Sequence, residues 1–239
     1  AYAVIETGLG GRFDATNVIR QSSKFCVFTP IDLDHQRLLG NTRTEIATEK
    51  SGILAPGVYA WSAPQCDEAR VVLDREAATL ATSFGYSQTV KEEDLEIDPH
   101  GTRFSHRNQE GISSKIQLSV LGLHQAQNAT VAIDVVQAIS RRDSWSYDAS
   151  KGREALSKVV LPGRYEIRYR SGHPIVIDVA HNPQKIRSLL ETTKTLFPDR
   201  AIEMILGLNS LDQAEGIVAV IKEYNVKVML VDAEVGDSY

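Results

Sequence analysis

The stretch PIVIDVAHNPQKIRSLLETTKTL, residues 174–196, contains the repeating unit of the fold. It begins with a short apolar run that ends at Asp178, and it continues with apolar residues at helical spacing. Pro183 is well placed as the first helical residue, because its missing N–H is not needed there. The stretch therefore predicts an apolar strand, a loop that contains Asp178, His181 and Asn182, and a helix.

The same alternation extends in both directions along the chain and is typical of βαβ units around a mostly parallel sheet. Predicted strands are 3–5, 24–29, 58–61, 174–178, 201–206 and 226–231, and predicted helices are 42–54, 67–82, 124–140, 150–159, 183–196 and 211–224. The helix after Thr42 is the best marked, because Thr42 and Glu45 can form a capping box and Pro56-Gly57 closes the other end. Residues 102–106 and 115–120, with Gly111 between them, predict an antiparallel hairpin beside the main sheet.

These elements predict an α/β protein of two domains. The 239 residues are enough for one large or two modest domains. A helix stops at Leu161-Pro162-Gly163 and a new series of strands and helices begins, which places the boundary between residues 161 and 162. The chain opens on Ala1, without a methionine, directly into a predicted strand. We therefore expect it to be part of a longer polypeptide.

Composition excludes several classes of function. The net charge of −5 and the pI of about 5.7 argue against a nucleic-acid partner, since no basic field covers the chain. The two cysteines, Cys26 and Cys66, have no metal-binding spacing, which is typical of a reducing compartment. No apolar run is long enough to span a bilayer, and no signal peptide pattern is present. We expect a cytoplasmic protein without a membrane partner.

The segment ETGLGGRFDATN, residues 6–17, follows the first predicted strand. Its three glycines permit close approach of the backbone to a ligand. Such loops at the carboxyl ends of parallel strands are where open α/β sheets bind ligands, although a simple tight turn explains the pattern equally well. It does not match the phosphate loop G-x-x-x-x-G-K-[ST], which occurs nowhere in the chain.

Two further segments carry ionisable groups. Asp32-Leu33-Asp34-His35 follows the second predicted strand, and an Asp with a His can hold a divalent cation or carry acid–base chemistry. The alternative is a turn stabilised by its own hydrogen bonds. Lys50, near the end of the capped helix, either complements the helix dipole or, if carbamylated, presents a carboxylate.

The last two segments are candidates for nucleotide contacts. Residues 122–129, GLHQAQNA, form the start of a long helix, where free N–H groups favour anions, unless these polar residues only cap the helix. Gly163-Arg164 offers a guanidinium suited to a bidentate grip on phosphate. The Asp178 loop is its predicted partner, with a purely structural turn as the alternative.

Taken in order, these segments resemble the signature of the folylpolyglutamate and dihydrofolate synthase family of the Mur ligase superfamily. The resemblance spans residues 6–183 and rests on GLGGRFDATN, LDH, EKSGI, GLHQAQN, PGR and DVAHNP. It implies that residues 1–161 are the remainder of the ATP-binding ligase domain, in the form of a partial Mur-ligase central domain. Residues 162–239 would be a Rossmann-like, truncated carboxyl-terminal α/β domain, the glutamate ligase domain.

The resemblance also implies roles for individual residues. Glu6, His35 and Lys50 match magnesium ligands, with Lys50 in its carbamylated form, and Lys50 and His35 match catalytic positions. Arg12 and Asp14 match positions at the pterin-bearing substrate. Four residues match positions around ATP, namely Asn128, Arg164, Asp178 and His181.

The implied activity is ATP-dependent addition of L-glutamate to a folate or to dihydropteroate through an acyl phosphate, by a monomeric enzyme that uses ATP and Mg²⁺. We expect these 239 residues alone to be inactive, because they lack the phosphate loop. Departures from the family pattern occur at Thr7, Ser51 and Val179, and in the loop 207–212, GLNSLD. Two alternatives remain open: a truncated or inactive relative that serves as a binding or structural module, and a peptidoglycan-type Mur ligase.

Overall fold

A computed structural model of the chain describes residues 1–21, 23–208 and 213–231. The strands are β1 Phe25–Phe28, β2 Tyr59–Ser62, β3 Ser83–Tyr86, β4 Glu96–Asp98, β5 Gly101–Arg107, β6 Ser113–Leu118, β7 Glu166–Arg170, β8 His173–Ile177, β9 Glu203–Leu206 and β10 Lys227–Leu230. The α-helices are α1 Gln36–Leu39, α2 Arg43–Ser51, α3 Asp67–Thr79, α4 Leu123–Arg142, α5 Ala149–Leu156, α6 Pro183–Leu196 and α7 Ala214–Glu223. Two short 3₁₀ helices cover Ala15–Val18 and Glu92–Asp94.

The chain groups into two compact units that do not follow chain order. Unit 1 comprises Ala1–Val90, Arg107–Ile112 and Gln127–Ala149, and unit 2 comprises Lys91–His106, Ser113–Ala126 and Ser150–Tyr239. The boundary between residues 161 and 162 stays a prediction, since a spatial grouping that divides α4 does not test where a domain begins along the chain.

Unit 1 contains a parallel sheet with the order β1-β2-β3, in which Cys26 is level with Ala60 and Ala60 with Phe84. Helices α2 and α3 cover one face, where Ile46 and Leu73 are fully buried. The other face packs against α4 through a cluster made of Phe25, Trp61, Ala63, Val131, Val135 and Ala138. Each fully buried Leu or Ile contributes about 1.5–3 kcal/mol, so burial on both faces accounts for the apolar strands.

Unit 2 contains three small sheets. Strands β9 and β10 are parallel, β7 and β8 are antiparallel, and β4, β5 and β6 lie side by side in that order. Its main core lies where α6 and α7 cover the β9–β10 pair, with Ile186, Leu190 and Ile217 almost completely buried. Strand β8 and helix α6 confirm the strand–loop–helix unit predicted from residues 174–196, and α6 has the predicted bounds, although Ile175 and Ile177 of β8 are exposed.

Local signals in the sequence placed the helix starts well, whereas α2 ends at Ser51 with Gly52 as its cap, before the end predicted at Pro56-Gly57. The predicted capping box is present: Thr42 Oγ1 accepts the N–H of Glu45 at 3.2 Å, and Glu45 Oε2 accepts the N–H of Thr42 at 3.0 Å. At α6, Asn182 Oδ1 accepts the N–H of Lys185 at 2.9 Å, and Pro183 follows as the first helical residue. Side chains that satisfy the first free N–H groups fix where a helix begins.

One predicted element is wrong and several were missed. The segment predicted as strand 3–5 is irregular and exposed, with Val4 fully accessible. None of the described strands pairs with it, so its N–H and C=O groups are left to hydrogen-bond with water. Three strands, β3, β4 and β7, and the short helix α1 were not predicted, since runs of four or five mixed residues carry little periodicity. The helix predicted over 211–224 is observed from Ala214, while residues 211 and 212 lie outside the described range.

Candidate functional site

The glycine-rich loop lies directly against the end of α2. The N–H of Arg12 donates to the carbonyl of Glu49 at 3.0 Å. A Cβ atom on Gly11 would lie 2.8 Å from the Lys50 carbonyl oxygen, and one on Gly52 would lie 2.5 Å from the Cβ of Arg12. Two glycines, one in each segment, therefore allow the close contact, and side chains at either position would separate the segments.

Asn17 fastens the same contact from the inside. Its side chain is almost completely buried, and its amide nitrogen donates to the carbonyls of Arg12 at 3.1 Å and Gly52 at 2.9 Å. Its amide oxygen accepts from Lys24 Nζ at 3.0 Å, and Lys24 Nζ also donates to the carbonyl of Ile53 at 2.8 Å. The loop and the helix end are thus held as one piece by buried polar contacts.

Asp14 organises the loop through its carboxylate. Oδ2 accepts the N–H of Leu9 at 2.9 Å, while Oδ1 accepts both the N–H of Thr16 at 2.9 Å and the Thr16 hydroxyl at 2.5 Å. The Thr16 hydroxyl, followed by the N–H of Leu9, lowers the pKa of Asp14 to about 2. An ionised carboxylate is therefore fixed at this point of the loop.

The segment after β1 places His35 and Lys50 in one region of unit 1, because Asp34 accepts the N–H of His35 and its charge acts on Lys50. His35 has a left-handed backbone, with φ of 51°, and its N–H donates to Asp34 Oδ1 at 2.9 Å. Its Nε2 lies 4.0 Å from the same oxygen. A non-glycine residue in this conformation costs about 1–2 kcal/mol and marks a functional or strained position.

Lys50 is half-buried beside this segment. Burial lowers the pKa of its ammonium group, and the charge of Asp34 opposes part of that shift. An amine with a lowered pKa is uncharged more of the time, which is the state that reacts with carbon dioxide to form a carbamate. Its neighbour Ser51, one of the departures from the family pattern, is buried, and its hydroxyl donates to the Thr48 carbonyl at 2.8 Å. The buried hydroxyl therefore has a hydrogen-bond partner.

The described side chains do not form a magnesium site by themselves. Glu6 is exposed and makes no hydrogen bond or ion pair with any described residue. Among the residues that the structure describes, no group of three or more His, Cys, Asp or Glu side chains could hold a metal ion. Magnesium prefers several oxygen ligands: Glu6 supplies a carboxylate and His35 a nitrogen, and Lys50 would supply oxygen only in its carbamylated form.

In unit 2, the turn that carries Arg164 is tied to the loop that carries Asp178. The N–H of Val179 donates to the carbonyl of Gly163 at 3.0 Å, and the N–H of Tyr165 donates to Asp178 Oδ2 at 2.7 Å. Gly163 has φ of +66°, and a Cβ there would approach Val179 Cγ1 to 2.9 Å. The predicted association of these two segments is therefore observed in the fold.

Tyr165 anchors that turn to α6. Its ring is almost completely buried, its backbone is left-handed with φ of 49°, and its hydroxyl donates to Thr193 Oγ1 at 2.9 Å. Arg164 is exposed between Gly163 and Tyr165. An exposed guanidinium on a turn held at both sides is suited to bind a phosphate, because little backbone order remains to be lost on binding.

The Asp178 loop is itself fixed. Asp178 Oδ1 accepts the N–H of Ala180 at 2.7 Å. His181 is exposed, with Nδ1 2.9 Å from the carbonyl of Val179 and Nε2 3.1 Å from Lys185 Nζ. Asn128 is exposed on α4. Of the predicted nucleotide residues, Arg164, Asp178 and His181 thus lie on two segments that are joined by hydrogen bonds.

His124 lies at the start of α4 and faces α6. Its Nδ1 is 2.8 Å from Ser188 Oγ, and its Nε2 is 3.1 Å from the side-chain nitrogen of Gln125. Burial lowers the pKa of His124, while the charge of Asp178 raises it and that of Arg164 lowers it. The imidazole is therefore within electrostatic range of Asp178 and Arg164, two of the predicted nucleotide residues.

A cavity of about 390 Å³ elsewhere in unit 1 contains none of the predicted site residues. It is lined near the amino ends of the strands by Phe25, Tyr59 and Ser83, with Arg141 and Arg142 of α4 beside them. His35 and the Asp32 segment follow the carboxyl end of β1, the edge at which α/β sheets bind ligands. We therefore assign the candidate site to the loops.

Sequence reasoning did not select Asn17, Tyr165 or His124 as site residues. Asn17 is the last residue of the glycine-rich segment, His124 lies in the helix-start segment considered for nucleotide contacts, and Tyr165 directly follows Gly163-Arg164, but none of the three was singled out. Hydrogen bonds to distant groups define all three, namely Asn17 to the Gly52 carbonyl, Tyr165 to Thr193 and His124 to Ser188, and these partners lie 28 to 64 positions away in sequence. Their position within or directly beside the candidate segments was the one feature of the sequence that could have indicated a role for them.

Comparisons with known proteins identify relatives of the chain. No family model matches the chain. A dihydrofolate synthase/folylpolyglutamate synthase of Bacillus subtilis is 35% identical over 210 residues, which is 86% of this chain and 47% of that protein. A protein of the same name from Mycobacterium tuberculosis is 33% identical over 234 residues, 92% of this chain and 46% of that protein. The chain thus spans about half the length of these relatives.

Solved structures give the same picture. A structure described as an FPGS-AMPPCP-folate complex superposes with a TM-score of 0.85 at 29% identity, covering 98% of this chain and 57% of that one. The apo form of L. casei FPGS superposes with a TM-score of 0.80 at 29% identity, covering 98% of this chain and 56% of that one. The predicted α/β, Mur-ligase-like fold is therefore confirmed. Within the described ranges, no helix is long and apolar enough to cross a membrane.

Proposed function

Because the chain belongs to the folylpolyglutamate synthase and dihydrofolate synthase family, we propose that the full-length protein is an ATP-dependent ligase that adds L-glutamate to a folate or to dihydropteroate. One observation carries this proposal most directly. The turn of Arg164 and the loop of Asp178, predicted as phosphate and nucleotide contacts, are joined by the hydrogen bond between the Tyr165 N–H and Asp178. A matched relative is described as bound to AMPPCP and folate.

We assign Arg164 to the phosphates and Asp178 and His181 to the adenosine part of ATP, while a nucleotide role for Asn128, which belongs to unit 1, stays a prediction from the resemblance. Arg164 is exposed on a fixed turn, and a guanidinium can form two parallel hydrogen bonds with a phosphate. Each carboxylate oxygen of Asp178 accepts one backbone N–H and keeps a second lone pair. That lone pair can accept a ribose hydroxyl or an adenine amino hydrogen.

The proposed reaction has two steps. A carboxylate oxygen of the pteridine substrate attacks the γ-phosphorus of ATP, and the bond to the β-phosphate oxygen breaks to give ADP and an acyl phosphate. The uncharged amino group of glutamate then attacks the acyl carbon, phosphate leaves, and the amine loses a proton as the amide forms. Positive groups that face the γ-phosphate stabilise both steps, and Arg164 is one of them.

We assign the glycine-rich loop to the pteridine substrate, through Arg12 and Asp14. Arg12 is exposed, 3.8 Å from the carboxylate of Glu49, and therefore has donors left for a substrate carboxylate. Lys50 and His35 are proposed at the catalytic end of the same region, and carbamylation of Lys50 is part of this proposal. Density at the Lys50 tip in a crystal tests it, and a bare ammonium there would contradict it.

Magnesium remains a prediction from the resemblance for Glu6, His35 and Lys50. Its donor set would have to be completed by the carbamate, by the phosphates and by water. The predicted boundary at residue 161, a cytoplasmic location and a monomeric state likewise remain predictions.

Phosphate release by the full-length protein tests the proposal. With magnesium, ATP, glutamate and either dihydropteroate or tetrahydrofolate, we expect phosphate above background with at least one pteridine; the pteridine that works distinguishes the two synthase activities. Arg164→Lys should weaken phosphate release, because an ammonium cannot form the two parallel bonds, while Arg168→Lys on neighbouring β7 serves as the matched control. No phosphate with any pteridine would overturn the assignment.

The alternatives have their own tests. Release of phosphate with UDP-linked muramyl peptides, and not with pteridines, would identify a peptidoglycan-type ligase. For the 239 residues alone we expect no ligase activity, because they contain no G-x-x-x-x-G-K-[ST] loop. Tight binding of magnesium–ATP by this chain in a calorimeter would argue against a purely structural module.

A further inference from the structure

We propose that His124 is a positioning residue whose neutral imidazole fastens the start of α4 to α6 and so fixes the loop that carries Asp178. This inference rests on the proposed function for its importance to nucleotide binding. The contacts that carry it all lie within unit 2.

The hydrogen bonds define the state of the ring. The side-chain nitrogen of Gln125 is a donor only, so His124 Nε2, 3.1 Å away, must accept. The proton of a neutral ring then lies on Nδ1, which donates to Ser188 Oγ at 2.8 Å. Protonation of Nε2 would set two donors against each other and break the contact with Gln125.

The backbone around His124 is built for this contact. Gly122 has φ of +109°, and a Cβ there would lie 2.9 Å from His124 Cε1 and 2.9 Å from Thr192 Oγ1. The N–H of Gly122 donates to Thr102 Oγ1 at 3.1 Å, which holds the turn before α4. Because Gly122 has no side chain, the His124 imidazole and Thr192 of α6 can both lie close to this turn.

Helix α6 transmits the contact to the Asp178 loop. Ser188 stands in the second turn of α6, and Asn182, which caps that helix, directly follows the loop of residues 178–181. The same helix receives the Tyr165 hydroxyl at Thr193. The charged groups that act on His124 are Asp178 and Arg164, and its other neighbours Gln125, Ser188 and Thr192 are neutral.

Hydrogen exchange of two amides measures the positioning directly. The N–H groups of Tyr165 and Ala180 both donate to Asp178, so they lose protection when that carboxylate moves. We expect His124→Leu, which keeps bulk but has no donor, to lower their protection about tenfold or more, and Ser188→Ala to do the same. His124→Asn keeps a donor near the Nδ1 position and should stay within about threefold of the wild type. His100→Asn, at an exposed histidine of unit 2, is the control.

A pH series separates positioning from simple packing. After correction for intrinsic exchange, protection of these two amides in the wild type should fall as His124 is protonated, and in His124→Asn it should not. Nitrogen-15 shifts of His124 at neutral pH should report the Nδ1–H form. Unchanged protection in both His124→Leu and Ser188→Ala, or a pH fall that persists in His124→Asn, would overturn the inference. Failure of the full-length protein to bind magnesium–ATP would count against the nucleotide assignment and leave these readouts intact.

Discussion

Replacement of Asn17 by alanine should loosen the glycine-rich loop from the end of α2. The substitution removes three hydrogen bonds, two to the carbonyls of Arg12 and Gly52 and one from Lys24 Nζ. At about 1 kcal/mol for each bond, the free energy of unfolding should fall by roughly 3 kcal/mol. Lys24 keeps its bond to the Ile53 carbonyl, so its charge is not left without any partner.

Urea unfolding followed by tryptophan fluorescence measures this loss. Both tryptophans, Trp61 and Trp145, lie in unit 1, so the signal reports the unit that contains Asn17. With a slope of about 1.5 kcal/mol per molar urea, a loss of 3 kcal/mol lowers the midpoint by roughly 2 M at unchanged slope. Asn41→Ala is the matched control, because Asn41 is exposed and its N–H donor to Glu45 survives the change.

A midpoint for Asn17→Ala within about 0.5 M of the control would refute the reasoning. It would mean that water replaces the amide in the contact between loop and helix. A changed slope would instead indicate that the variant alters how much surface unit 1 exposes on unfolding.

Three further substitutions test the loop and its helix. Gly11→Ala should destabilise unit 1 by about 1–3 kcal/mol in the same assay, because the new Cβ would lie 2.8 Å from the Lys50 carbonyl oxygen. Thr42→Ala should cost about 1 kcal/mol by removing the cap of α2. Asp14→Asn should be less stable than the wild type at pH 6, and the difference in stability should shrink towards pH 2. The pKa of Asp14 in the folded protein, lowered to about 2, lies below its value in the unfolded chain. The stability that Asp14 contributes is therefore lost as acid protonates it.

Two of these have matched controls in the same chain. Gly57→Ala places its Cβ in open space and has only the cost of its positive φ, about 1–2 kcal/mol. Thr44→Ala changes an exposed threonine of α2 that does not cap the helix. Equal effects of Thr42→Ala and Thr44→Ala, or a pH-independent effect of Asp14→Asn, would contradict the structural account.

Elements with strong local signals were predictable, and short ones were not. The capping box of α2 and the Asn182-Pro183 start of α6 follow from side chains a few residues from the backbone groups they serve. Strand 3–5 was predicted from apolar character, yet a strand exists only where a neighbour takes its hydrogen bonds, and no described strand does so. Strand β3 shows the converse, since pairing with β2 makes a strand of the weak sequence Ser-Phe-Gly-Tyr.

By itself, the sequence determined the family, most of the longer strands and helices, and the segments to which we assign chemistry, because these depend on residue types at short spacing. Only the tertiary structure decided how the segments are held: Gly11 against the end of α2, Tyr165 between Asp178 and Thr193, and His124 against Ser188. Those contacts join residues far apart in the chain, and their strength comes from burial and from the distance between atoms. Burial and interatomic distance cannot be read from the sequence, so the contacts that hold the site together became visible only in the folded protein.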